Sequence, residues 1–302
     1  MDAIRSLSNL AESAAHIKSQ RLLLNKLRLW TLQGVSYFVA GIVLWIIGTI
    51  FFKGIGAINW TFLTDIPREN MSAGGIGPMI LGSLYLIVGT LLIVCFIGIP
   101  GGIFLAEYAG KGRVVRAIRS LVLSLAGTPS VVYGLFGFAV FVLLITKKSS
   151  LIAGWLTLST MIIPVVVLNT ETALKAVPQS QIEAALALGM SKWGAIWKVA
   201  LPQALPGIMT GLVLASGRAA GEAPPILLTA GIFYTTQQPR GLAIITEPVM
   251  NLPYHISEAV KQSGTFKEQT VWGTCLVLMA IILLVNALAL YVRSSQRRKN
   301  RA

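Results

Sequence analysis

The segment that decides the fold lies between two long apolar runs and reads PQSQIEAALALGMSKWGAIWKVALPQALP, residues 178–206. Local signals divide it into two short helices. Ser180 and Glu183 have the spacing of a capping box, in which the hydroxyl and the carboxylate satisfy amides of the first turn. Gly189 is placed to end this helix in a left-handed conformation. The pattern predicts a compact helical hairpin outside the membrane.

The second helix of this segment is predicted to begin after Ser191 and to end at Pro202, because proline lacks an amide hydrogen. In the first helix, Ala184 and Ala185 keep the surface slim enough to enter a groove on a partner. A surface helix packed on the membrane ends of its own bundle fits the periodicity equally well. Both interpretations stay open on this evidence.

The composition around this segment is that of a membrane protein. Hydrophobic residues make up 55% of the 302 residues and charged residues 12%, against about 25% charged in soluble domains. A bilayer core about 30 Å thick needs about 20 apolar helical residues. Six runs approach that length: 31–52, 77–105, 118–145, 150–169, 206–232 and 271–292. We therefore predict an all-α integral membrane protein with six transmembrane helices.

The net charge of +14 is interpreted as a signal of orientation, because short loops rich in Lys and Arg stay in the cytoplasm. Most of the 25 Lys and Arg lie on one side if both termini are cytoplasmic. The predicted organisation is an interfacial segment at 1–30, a membrane domain at 31–292 with its cytoplasmic loop at 170–205, and a basic tail at 293–302. Membrane lipid surrounds such a chain, and nucleic acid is not needed to explain its charge.

A charged pair lies inside the fifth predicted span. Arg218 and Glu222 are four residues apart and share one helix face, and Arg218 lies roughly 20 Å of helical rise beyond Leu205. A charge at such depth costs at least about 2.5 kcal/mol, so the pair is a candidate substrate pathway. Pro224 and Pro225 follow and predict a helix break, which membranes tolerate where backbone lines a pathway or is buried in protein. A purely structural Arg–Glu pair is the alternative.

The chemistry of this pair favours phosphate over sulfate. Arg offers a planar fork of donors to an oxyanion, and Glu is an acceptor. The phosphate dianion keeps an O–H that a carboxylate can accept, whereas sulfate at neutral pH has none.

The third predicted span contains GTPSVVYGLFG at residues 127–137. Pro129 is expected to kink the helix, while Ser130 and Tyr133 offer hydroxyls to the bundle interior. On physical grounds alone, ordinary helix packing is the favoured interpretation of this stretch. Ser130 and Tyr133 are the further candidates for the substrate pathway.

Three stretches resemble known transporters. Glu183-Ala184-Ala185, Gly189 and Val199-Ala200-Leu201-Pro202 resemble the EAA loop of ABC-transporter permeases, with Val199 in place of the usual Ile. PSVVYGLFG at 129–137 resembles the PSIVYGLFG-type segment of phosphate-specific permeases. RAAGEAPPILLTAG at 218–231 is similar to the RAAGETAPLL segment of their A-type subunit, with Ala223 and Pro224 where that pattern has Thr-Ala. The resemblance extends over about residues 75–292.

This resemblance implies the type I ABC importer architecture in a bacterial inner membrane, with a cytoplasmic coupling helix that docks on an ATPase. It implies a role in phosphate passage for Arg218 and Glu222. The ATPase-coupling residues that it implies are Glu183, Ala184, Ala185, Gly189, Leu201 and Pro202. The implied partners are a second, C-type permease, a cytoplasmic ATPase dimer and an extracytoplasmic phosphate-binding protein. The sequence has no GxxxxGK[ST] loop, so the partner ATPase is expected to use the ATP, and we predict no enzyme activity, cofactor or metal site in this chain.

Three alternatives differ in what they predict. A permease for phosphonate, molybdate or sulfate would differ in uptake competition. An ion-coupled secondary transporter, with Glu222 as proton carrier, would work after ATP depletion. A membrane scaffold for phosphate signalling would be unaffected by loss of Arg218.

Overall fold

The computed structural model describes residues 2–68, 73–110, 112–235, 241–261 and 268–299, in two units that divide after Lys53. The first unit is formed by α1 (Asp2–Gly54), which continues without a break through the described part of the predicted interfacial segment. From Arg28 onward this helix is long and apolar enough to cross a membrane. The position of residues 1–30 at the lipid headgroups stays a prediction.

The second unit is a bundle of helices with one minimal strand pair. Its strands pair antiparallel, with Pro67 opposite Gly74. In chain order its elements are the 3₁₀ turn Ile55–Ala57, α2 (Trp60–Thr64), β1 (Pro67–Arg68), β2 (Ala73–Gly74), α3 (Gly77–Glu107), α4 (Arg113–Ala126), α5 (Ser130–Gly137) with the π-helical continuation Phe138–Thr146, α6 (Leu151–Lys175), α7 (Gln179–Ala187), α8 (Lys192–Ala195) with the π-helical continuation Ile196–Ala200, α9 (Leu201–Gly221), α10 (Pro224–Thr229), the 3₁₀ segment Gly241–Thr246, α11 (Leu252–Lys261) and α12 (Glu268–Lys299).

Five helical stretches within the described residues are long and apolar enough to span a membrane, and a bent pair makes a sixth candidate. The predicted spans at 77–105, 150–169 and 271–292 are confirmed by α3, α6 and α12, each of which extends further. α12 also takes in most of the predicted basic tail, of which residues 300–302 lie outside the described part of the chain.

The predicted single span at 118–145 is wrong in form. α4 and α5 meet at an angle of 100° across residues 127–129. Pro129 donates no amide and disfavours helix at the residue before it, so the chain turns there. α4 has cationic and apolar sides, and none of its residues is buried. It therefore has the character of an amphipathic surface helix, and the candidate span in this region is a bent pair of helices rather than one straight helix.

The bundle core is formed where α3, α6 and α9 meet. Leu86 and Val94 on α3 pack with Met161, Ile162 and Val166 on α6, and all five are at most 1% exposed. The two helices approach closely because α3 has glycine at the contact. This close packing of small residues is how helices associate where lipid provides no hydrophobic driving force.

Apolar clusters close both ends of the bundle. At one end, α7 and the turn into α9 pack on the ends of α3 and α6 through Ile103, Leu174, Val177, Ile182 and Ile196. At the other end, α2 and the start of α3 pack on α11 and α12 through Phe62, Ile76, Met79, Leu252 and Val277. The segment 178–206 thus packs as one body with α6 and α9, which it connects.

The second of these ends holds a pocket of about 660 Å³, lined in part by Asn59, Asp65, Arg68, His255 and Gln269. His255 is only 3% exposed, and burial lowers its pKa from 6.5 to about 4. The neutral imidazole is therefore the form that this end of the bundle stabilises.

Acidification is expected to destabilise this end of the bundle through His255. The unfolded chain takes up the proton near pH 6.5 and the folded chain only near pH 4, so the contribution to stability is complete above pH 6.5 and declines as pH falls through that window. The maximum loss is about 3 kcal/mol. The unfolding temperature of the purified protein, measured between about pH 7.5 and about pH 4.5, should fall less in His255→Gln than in the wild type. An equal fall in both proteins would contradict this assignment.

Candidate functional site

The charged pair of the fifth predicted span lies at a helix break. α9 ends at Gly221, Glu222 is extended with φ −79° and ψ 122°, and α10 begins at Pro224. Arg218 Nε donates to Glu222 Oε1 at 3.3 Å, with the two side chains 33% and 17% exposed. The helix break thus lies where Pro224 and Pro225 predict it. The pair is enclosed by the bundle without being sealed from its surroundings.

Arg218 keeps donors available. Its Nε is bonded to Glu222. Within the described part of the chain, its terminal nitrogens Nη1 and Nη2 donate no hydrogen bond. The residue lies in the last turn of α9, where the negative end of the helix dipole favours a cation. Its charge also lies within electrostatic range of the Tyr133 phenol. The guanidinium is therefore a fixed positive charge with its fork of donors open to an oxyanion.

α5 packs directly on this break. A Cβ added to Gly134 would lie 3.1 Å from Pro224 O and from Pro225 Cα, so any side chain at this position would push the two helices apart by a few tenths of an ångström. Tyr133 is 4% exposed, and its hydroxyl donates to Leu125 O at 2.7 Å across the bend between α4 and α5. The two distinctive stretches of the sequence, 129–137 and 218–231, thus meet at one place.

Two further candidates are less directly involved in this geometry. Ser130 is the first residue of α5 and is half-buried, and Pro129 immediately precedes that helix. The hydroxyl of Tyr133 is occupied by its bond to Leu125. A role for Ser130 and Tyr133 in the substrate pathway stays a prediction.

Replacement of Gly134 by valine is expected to separate α5 from the helix break. The added methyl groups would be forced against the backbone of Pro224 and Pro225, and such overpacking costs about 1–3 kcal/mol. The unfolding temperature should fall. Gly127→Ala is the matched control, since the nearest atom to its Cβ is Ser124 O at 3.6 Å, an ordinary contact. Equal stability of the two variants would show that the approach at Gly134 is unimportant.

The second candidate surface is α7 and the turn that follows it. Ile182 and Ala185 pack against the bundle and are only 5% and 6% exposed, whereas Glu183 and Ala184 face outward. Leu188 is 87% exposed. An acidic side chain beside exposed alanine and leucine suits a groove on another protein better than water.

The turn after α7 is made as the sequence predicts at Gly189, which has φ +84°. Ser191 caps α8 by accepting from Gly194 N at 3.2 Å. Two other local predictions are wrong. Ser180 makes no capping box, because α7 begins at Gln179 and its N-cap is Pro178. Pro202 does not end the second helix, because it lies in the first turn of α9, where its missing amide is tolerated.

Sequence reasoning missed a buried carboxylate near α7. Glu171 is 5% exposed, although the fourth span was predicted to end at residue 169. Its Oε1 accepts from Arg119 Nε at 2.7 Å and from Lys175 Nζ at 2.6 Å. The Glu171–Lys175 spacing was readable as an i,i+4 pair, but Arg119 lies 52 residues away in the chain.

These features have counterparts in known proteins. Residues 98–298 match the sequence profile of a family described as binding-protein-dependent transport system inner membrane component. The chain belongs to this family. It is therefore a multi-pass inner membrane permease and a transport subunit rather than an enzyme. As a member of the family, the permease works with an ATPase and a binding protein.

Several curated relatives of the permease are phosphate transporters by name. The phosphate transport system permease protein PstA of Yersinia pestis is 32% identical over 292 residues, 95% of each chain. PstA 2 of Mycobacterium tuberculosis is 33% identical over 256 residues, 85% of this chain and 83% of that one. The probable ABC transporter permease protein YqgI of Bacillus subtilis is 38% identical over 194 residues, and the match covers 64% of this permease and 66% of YqgI.

The fold is shared with a solved importer. The MetNI methionine ABC transporter contains a chain that superposes with a TM-score of 0.58 at 18% identity, covering 72% of this permease and 96% of that chain. The predicted type I ABC importer architecture is confirmed at the level of fold.

Proposed function

We propose that this permease is the A-type transmembrane subunit of an ATP-driven phosphate importer, which passes inorganic phosphate inward by alternating access. The observation that carries the proposal is the Arg218–Glu222 pair at the break between α9 and α10. The Arg218 fork can bind phosphate oxygens, and Glu222 can accept the remaining O–H of the dianion. The PstA relatives, named for phosphate transport, support the choice of ion.

The proposed pathway lies at membrane depth. Arg218 is seventeen residues from the start of α9, roughly 25 Å of helical rise, in a helix whose other end joins the coupling segment. A charge at that depth needs a partner or an aqueous cavity, and its exposed fraction of 33% leaves room for a transported anion. The open side of the pair is proposed to face a second, C-type permease, so that the pathway runs between the two subunits.

The proposed motor is a separate pair of ATPase subunits that bind α7. In this arrangement both termini, α4 and α7 are proposed to lie in the cytoplasm. The outer loop at residues 233–270 is proposed to face an extracytoplasmic phosphate-binding protein. Glu183 and Ala184 lie on the exposed side of α7, while Ala185, Gly189 and Leu201 hold its shape and connect it to α9. No cofactor is proposed for this chain, since its partners hydrolyse the ATP.

Uptake of radiolabelled phosphate tests this function. Cells deleted for their own high-affinity system should regain uptake when they produce this chain with its presumed partners. Uptake should stop on ATP depletion and persist when an ionophore collapses the proton gradient. The reverse pattern would establish an ion-coupled secondary transporter instead.

A permease for another oxyanion is the second candidate, because the Arg218 fork suits any tetrahedral anion. Unlabelled sulfate, molybdate or phosphonate in excess should leave phosphate uptake unchanged. Suppression of uptake by one of these anions would identify that anion as the substrate class.

A further inference from the structure

A partly buried ion pair outside the proposed pathway connects α4 to α6. Arg119 Nε donates to Glu171 Oε1 at 2.7 Å, and Arg119 Nη2 donates to Leu105 O at 2.8 Å. One guanidinium thus holds the end of α3, the surface helix α4 and the end of α6 together. Glu171 is almost fully buried, and loss of both cationic partners would leave a buried carboxylate without a compensating charge.

Side-chain packing does little to hold α4 in place. None of its residues from Arg113 to Ala126 is buried, and both of its ends are next to breaks in the helical chain. Its polar attachments therefore determine where it lies. They are the Arg119 contacts with Glu171 and Leu105, and the bond from Tyr133 to Leu125.

These attachments lie on a continuous route between α7, the helix proposed to bind the ATPase, and the proposed pathway. Ile182 and Ala185 of α7 pack in one cluster with Leu174, one turn beyond Glu171 on α6, and with Val177, which follows the end of that helix. From Arg119 the route continues along α4 to Leu125, which Tyr133 of α5 holds.

The last step of the route reaches the helix break. Gly134, next to Tyr133, lies against Pro224 and Pro225. Every connection along the route is a packed contact or a hydrogen bond. A displacement of α7 can therefore reach the break beside Arg218 without passing along α9.

We propose that Arg119 and Glu171 are positioning residues that transmit the movement of α7 through α4 and α5 to the helix break beside Arg218. The inference rests on the proposed function, because it assigns these residues a place in the transport cycle of that complex. Neither residue touches the transported anion. Loss of their bond uncouples ATP hydrolysis from transport, while the ATPase and the permease each remain folded and assembled.

The chain provides a clean way to break this bond. Lys175 lies on the same helix as Glu171 and donates to the same oxygen at 2.6 Å, so Glu171 keeps a cationic partner when Arg119 is removed. Arg119→Gln therefore removes the charged attachment of α4 to α6, together with its bond to Leu105 O on α3, without leaving an unpaired buried charge. Removal of Glu171 would instead leave two cations facing each other.

The test is made on the assembled complex in proteoliposomes, with ATP hydrolysis and anion uptake measured in one preparation. Arg119→Gln is expected to keep ATP hydrolysis and to raise the number of ATP consumed per anion transported about tenfold. Arg119→Lys keeps a cation at this position, and its ratio of ATP consumed to anion transported is expected to be close to the wild-type value. Arg116→Gln, at an exposed position one turn earlier on α4, is the matched control and should change nothing.

Two results would overturn the proposal. An unchanged ratio in Arg119→Gln would show that the pair transmits nothing. A parallel loss of ATP hydrolysis, uptake and assembled complex would show a purely structural role. The ratio is counted with whichever oxyanion the wild-type complex transports, so failure of the phosphate assignment shows in the wild type and failure of this inference only in the variant.

Discussion

Arg218→Ala is expected to lower phosphate uptake at least about tenfold, in cells that still assemble the complete complex. Hydrogen bonds to charged groups contribute about 1.5–3 kcal/mol each, and alanine removes both the charge and the fork that Nη1 and Nη2 present. The amount of complex should be unchanged, because the Arg218–Glu222 contact is long at 3.3 Å and both side chains are partly exposed. Uptake of radiolabelled phosphate and recovery of the complex on an affinity tag are the two measurements.

Three further variants separate a role in passage from a role in structure. Arg218→Lys keeps the charge but loses the planar fork, so its uptake should lie between wild type and Arg218→Ala. Leu214→Ala removes an exposed side chain one turn earlier on the same helix and serves as the control. If Arg218→Ala and Glu222→Gln both reduced recovery of the complex to the same extent as uptake, the pair would be structural.

Glu183→Lys is expected to abolish uptake by releasing the ATPase. Glu183 lies on the exposed side of α7, so the substitution leaves the fold of the hairpin unchanged and reverses a charge on the surface proposed to enter the ATPase groove. A like charge placed across a fitted interface costs several kcal/mol. The ATPase should no longer co-purify with the permease, and its activity should lose stimulation by the binding protein.

Gln181→Lys is the matched control for this variant. It places the same new charge on the same short helix, also at an exposed position, but on a different face. Normal uptake in Glu183→Lys with the ATPase still bound would return α7 to the alternative interpretation, a surface helix that serves only its own bundle.

Composition and periodicity predicted most of this fold because lipid imposes simple requirements. Long apolar runs have few alternatives to a helix in a membrane, so α3, α6 and α12 were predictable. Gly189 and the break at Pro224 were also predictable, because each depends on the backbone chemistry of one residue.

The errors came from positions where two local rules compete. Pro129 was expected to kink a span, but it also disfavours helix at Thr128 before it, and the chain turns by 100° there. Pro202 was expected to end a helix, yet a proline in the first turn of a helix is equally acceptable. Sequence alone does not decide which side of a helix end a proline occupies.

The site was predictable where its members are close in sequence and hidden where they are not. Arg218 and Glu222 are one turn apart, so their pairing followed from helical spacing. The contact of Gly134 with Pro224 and the pairing of Arg119 with Glu171 depend on how α4, α5 and α6 are arranged. No spacing rule connects such distant positions.

The exposure of Leu188 has a consequence for the life of the protein in the cell. At 87% exposed beside the charged and polar surface of α7, this leucine is a hydrophobic residue left in water whenever the permease stands alone. Quality-control proteases and chaperones act on exposed apolar segments of this kind. Copies made in excess of the ATPase are therefore expected to be degraded first, so the supply of the soluble partner sets how much permease the membrane retains.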